Sequence, residues 1–211
     1  MIKRLLLIKH WQLFVLLFVL PMIGYMWMML RMMMGILERQ QPGFGDALEL
    51  FPFILIPLMT VFLGWLWSIG KGLQDKIPEE FRLDTKWFQI AIIYSVAYYI
   101  VFAFAMSWFM DEVLSQVSFP TSPQSPFGPS GLLPSGNPAM MLIVPFHFLA
   151  IGCMFYSMFF AGKTLKTAEL KRKVDLSDFV LEFMLFWFYP VGVWFIQPKV
   201  NTLAKSEIEE S

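Results

Sequence analysis

Hydrophobic residues in this chain gather into long blocks instead of recurring at a helix or strand period. The blocks cover residues 11–34, 50–69, 87–110, 139–162 and 179–197. Each approaches the roughly 20 residues that a helix rising about 1.5 Å per residue needs to cross a hydrocarbon core about 30 Å thick. Lipid offers no hydrogen bonds to the backbone, so such segments must satisfy themselves as helices. The pattern predicts an all-α polytopic transmembrane helix bundle of about five spans, forming a single membrane domain over 1–211. The N-terminal stretch MIKRLLLIKHWQLF starts like a signal peptide, but no small-x-small cleavage pattern follows it, and it reads as part of an uncleaved first span.

Proline falls inside four blocks, at Pro21, Pro57, Pro145 and Pro190, where each removes a backbone donor and favours a kink. Trp11, Trp27, Trp65, Trp67, Trp87 and Trp108 lie near block ends, the depth at which an indole sits among headgroups. The fifth block ends within the stretch FWFYPVGVWFIQPKVN, with Pro190 and Gly192 near the middle of the block and Lys199 just beyond its end. A full crossing is the first reading. Four spans followed by a C-terminal re-entrant hairpin is the alternative.

Between the third and fourth blocks, residues 111–138 contain six prolines, no basic residue, and only Asp111 and Glu112 as charges. Pro120, Pro123, Pro126 and Pro129 recur every third residue, which on a polyproline II helix aligns them on one edge as a possible partner-docking strip. In the second connection, Pro78 followed by Glu79 and Glu80 is a good opening for a short interfacial helix. The fourth block is expected to run on as helix through KTLKTAELKRK, with Ser177 or Asp178 capping the next helix.

Composition agrees with the block pattern: 57% of residues are hydrophobic and only 15% charged, outside the range of ordinary soluble domains. The 16 basic and 16 acidic residues cancel, so bulk charge suggests no nucleic-acid partner. Position matters more than sum. Basic residues concentrate in the N-terminal segment, the second connection and the fourth, which places the N-terminus in the cytoplasm of a multi-pass inner (plasma) membrane protein. The five basic residues of the fourth connection are also candidates for contact with anionic lipid headgroups.

Two titratable residues fall clearly inside blocks, His147 and Glu182, and are the functional polar candidates because ionisable groups at that depth are costly. Counting residues puts His147 toward the outer side and Glu182 near the inner start of its block, so direct pairing into a proton relay is not expected. Tyr94, Ser95, Tyr98 and Tyr99 are at the right depth to bond His147, and Lys166 to reach Glu182. Met22, Met26, Met29 and Met33 share one face of the first helix, with Met110, Met140 and Met141 at the same outer level. Thioethers suit Cu(I), but methionine is first an adaptable packing residue. The lone Cys153 excludes an internal disulfide.

No phosphate loop, HExxH, GxSxG, paired acidic metal motif or CxxC occurs. Neither enzyme activity nor a cofactor or metal is expected. No convincing inverted repeat marks an autonomous carrier. The expected role is a non-catalytic membrane subunit or assembly factor, embedded in the bilayer beside a membrane-protein partner or further copies of itself; a small transporter or channel is the alternative.

Near the C-terminus, KTLKTAELKRKVDLSDFVLEFMLFWFYPVGVWFIQPKVN resembles uncharacterised small polytopic inner-membrane proteins of Bacteroidota. The resemblance covers about forty residues. It implies a bacterial inner-membrane location and carries no site residue with it.

Overall fold

The computed structural model describes residues 5–37, 50–116 and 138–205. Among these residues the secondary structure is helical, with no strand. The first helix, α1, opens at His10–Phe14, widens to a π turn over Val15–Val19 and resumes as Leu20–Leu37. The π turn ends just before Pro21, which has no amide to donate to the Leu17 carbonyl and whose ring would crowd it. Helix α2 is Phe51–Gly72, α3 is Lys86–Gln116 and α4 is Pro138–Leu170. Each contains a stretch long and apolar enough to cross a bilayer, as does α1.

Helix α2 is the centre of the bundle, with 44% of its apolar window buried against 17% for α1. Trp65, Leu63, Leu66 and Ile69 of α2 meet Phe88 of α3, Leu165 of α4, and Phe186, Val193 and Ile196 from the C-terminal region in one apolar core. Phe88 and Phe160 stack at 4.6 Å, which sets the antiparallel register of α3 and α4. The connection between α2 and α3 is tight. It holds short 3-10 turns at Gln74–Lys76 and Glu79–Phe81, the second opened by Pro78 as its sequence suggests. α4 extends into the basic segment as far as Leu170 and stops short of Lys171, Arg172 and Lys173, over which the sequence pattern predicts continued helix. Lys171 then takes φ 54°, a left-handed cap whose amide bonds back to the Thr167 carbonyl at 2.9 Å.

The fifth block departs from the continuous span expected over 179–197. It forms two helices, α5 (Leu176–Trp187) and α6 (Tyr189–Lys205), separated by Phe188 alone. Phe188 sits at φ −90°, ψ 52°; its amide closes α5 on the Met184 carbonyl, and its own carbonyl accepts from Val191 and Gly192 to open α6. Pro190 thus occupies the first turn of α6, where a missing donor costs nothing. α6 folds back on α5 so closely that a Cβ at Gly192 would lie 1.7 Å from the Leu185 carbonyl oxygen. The arrangement is consistent with the four-span alternative, four helices long and apolar enough to cross followed by a C-terminal hairpin. The cap of α5 also differs from expectation: Asp175 is the N-cap and Asp178, three residues on, accepts its amide at 3.0 Å.

Candidate functional site

The hairpin returns α6 to the end of the bundle where α4 finishes, and four charges converge there. Glu182 of α5 is held at the seam with α4, where its Cβ and the α5 backbone pack beside Gly162. One carboxylate oxygen of Glu182, Oε1, accepts from Lys199 Nζ of α6 at 3.0 Å and from Lys166 Nζ of α4 at 3.4 Å. Glu169 lies one turn beyond Lys166, bonded to it at 3.0 Å and 3.8 Å from Lys199. Two lysines and two glutamates thus form a charge-neutral ring joining α4, α5 and α6. The Glu182 side chain is only 2% exposed, whereas Lys199 is 38% exposed. Each lysine stem therefore lies along the protein and its ammonium reaches from wetter ground to a buried carboxylate. The second carboxylate oxygen, Oε2, has no hydrogen-bond partner among the described residues.

Glu182 is the seventh residue of α5, since the helix begins at Leu176 and not at 179. The helix dipole fades within the first turn, so the two ammonium groups, and not the helix terminus, hold this carboxylate. At the terminus itself, Arg172 grips Asp178 with two hydrogen bonds of 3.1 and 3.0 Å. The Arg172 hydrogen bonds, aided by the Asp175 amide, hold the Asp178 carboxyl below its usual range.

A second buried polar node lies beside the ring. Gln197 of α6 accepts from the Trp65 indole at 2.8 Å and donates to the carbonyls of Leu6 and Ile8 at 3.1 and 2.9 Å. It thereby pins the helix end at Leu6 and the turn that follows it to α6 and α2. An α-helix leaves its last carbonyls without partners, and here a side chain 191 positions away supplies one.

His147 belongs to neither cluster. Its Nδ1 shares a 2.9 Å hydrogen bond with the hydroxyl of Tyr98, one of the four partners its depth suggests, and its ring packs 5.1 Å from Phe102. His147 and Lys166 lie on the same helix, nineteen positions or roughly 28 Å apart along its axis. The structure does not bring His147 and Glu182 together. Met22, Met26, Met29 and Met33 line an outward-facing apolar hollow of α1 with Trp27 and Leu30. Among the described residues, no three His, Cys, Asp or Glu side chains gather as a metal set. Pro120, Pro123, Pro126 and Pro129 lie outside the described residues.

Lys199, Glu169 and Gln197 are the polar residues that the sequence left unmarked. Their signal was faint: Lys199 and Gln197 flank Pro198 at the end of an apolar block, and their neighbours are set by the hairpin. The ring can neutralise and position charge at a helix seam. No protein-family model, curated protein or solved structure matches the chain; its four helices long and apolar enough to cross a bilayer mark it as a membrane protein.

Proposed function

We propose that this chain is a non-catalytic integral subunit or assembly factor of a larger membrane complex, in a bacterial inner membrane with its N-terminus in the cytoplasm. The observation that carries the reading is the free outer part of α1. Beyond Gly24, where Ile54 of α2 packs on it, Met26, Met29 and Met33 are 66%, 61% and 56% exposed. Methionine adapts its shape to a partner at little cost, which suits a surface that meets another helix. The interior charges are meanwhile occupied with one another at one end of the bundle.

The hairpin supports the orientation. With Lys199 and Lys205 returned to the side of the basic connections, only Arg31 and Arg39 of the 16 basic residues fall on the other side. The same hairpin favours the second reading, a small transporter or channel, because broken helices line the binding sites of many carriers. Purification in mild detergent followed by mass spectrometry separates the two. A subunit brings a stoichiometric membrane partner with it. Solute flux by the pure reconstituted chain would overturn the first reading in favour of the second.

A further inference from the structure

Between α3 and α4, on the side away from α2, runs a groove of about 590 Å³ walled by Trp87, Tyr94 and Tyr156 and floored by Ala91, Gly152 and Cys153. A methyl group added at Gly152 would meet nothing within 4 Å, so the floor is open. The Phe88–Phe160 stack joins the two helices next to Trp87, with Asp84 four residues before Phe88 and Lys163 three after Phe160. Lys163 follows Tyr156 by seven positions, hence on the same stripe of α4. Asp84 lies within electrostatic reach of Tyr156 and accepts the Lys86 amide at 2.9 Å. Neither Asp84 nor Lys163 has an ion-pair partner among the described residues, and they do not pair with each other.

We propose that this groove is a binding site for one phospholipid bearing a primary ammonium headgroup, its acyl chain on Ala91 and Gly152, its phosphate at Lys163 and its ammonium at Asp84. The two unpaired opposite charges at the end of an apolar channel match a zwitterion in both sign and order. An anionic headgroup would face Asp84 uncompensated, and a quaternary ammonium has no proton to donate to it. A transmembrane helix from another protein would lay apolar side chains against the groove and leave Asp84 and Lys163 unpaired, whereas a zwitterionic headgroup meets both. A hydrocarbon chain fits the space and its apolar lining.

The test uses the full chain in nanodiscs of phosphatidylethanolamine, phosphatidylcholine and phosphatidylglycerol with matched acyl chains, released into mild detergent and read by native mass spectrometry. One phosphatidylethanolamine should be retained about tenfold over either competitor. Gly152→Leu fills the floor and should abolish retention; Lys163→Gln and Asp84→Asn should each reduce it about fivefold, while Lys205→Gln, an equal charge change at the exposed end of α6, leaves it unaltered. Should Gly152→Leu fail to fold, the two charge variants decide. Equal retention of the three lipids, preference for the anionic one, or charge variants that behave like Lys205→Gln would overturn the proposal.

Discussion

At the scale of single residues, Gly192 and Gly152 make a matched pair. A side chain at Gly192 would collide with the Leu185 backbone, which cannot move without opening the hairpin, whereas one at Gly152 meets open space. Gly192→Ala should destabilise by about 1–3 kcal/mol, the usual range for overpacking, while Gly152→Ala stays near neutral. Tryptophan fluorescence during thermal unfolding in detergent reads both; equal midpoints would show that the hairpin is looser than described. The ring around Glu182 makes a different prediction. Replacing Lys166 or Lys199 alone by methionine leaves the other ammonium in place and should cost about 1 kcal/mol. Replacing both strands a buried carboxylate, at about 3–5 kcal/mol, so the double variant should exceed the sum of the singles; strict additivity would refute the shared bond. Half of this site was readable beforehand. Lys166 is one chain segment from Glu182 and at its depth, and Tyr98 faces His147 for the same reason of register. Lys199 and Glu169 were not, because their meeting depends on where a helix turns back, and composition is silent on that.

Among the elements, those with a one-dimensional cause were legible. Block 50–69 appears as α2 and block 139–162 within α4, since hydrophobic length alone decides a span; helices run past the block ends because polar residues continue them into the interface. The block over 179–197 looks the same by that measure, yet it is two helices. Both arms of a hairpin sheltered by lipid and protein are apolar, so hydropathy cannot distinguish them from one crossing. What separates them is a close backbone approach at Gly192 and a distant ion pair. The end of α4 offers a test of local geometry: Lys171 occupies a left-handed conformation that suits glycine. Lys171→Gly gives up an exposed hydrogen bond to the Lys76 carbonyl but relieves the backbone, and should raise stability by about 0.5–1 kcal/mol. A fall in the thermal midpoint would mean that the tie between the two connections outweighs the strain.

For the whole molecule, if α1 to α4 cross the bilayer, the returning hairpin brings Lys205 back to the side of Lys171. With Cys153 replaced by serine, single cysteines at Ser125, Lys171 and Ser206 report this through a membrane-impermeant thiol reagent added to intact cells. Position 125 should label and positions 171 and 206 should not, until the membrane is permeabilised. Labelling at 206 from outside would mean that the last block crosses after all. The returning hairpin also bears on how the chain is made. A fifth crossing would carry the Lys199 and Lys205 ammonium groups through hydrocarbon and leave Glu182 behind without Lys199, each at several kcal/mol. Folded back, α5 and α6 need not be carried across the bilayer at all, and they can slip into a bundle formed by α1 to α4. Synthesis can therefore finish the membrane part at α4 and complete the core afterwards, with the Glu182 ring closing last as the fastening of the finished protein.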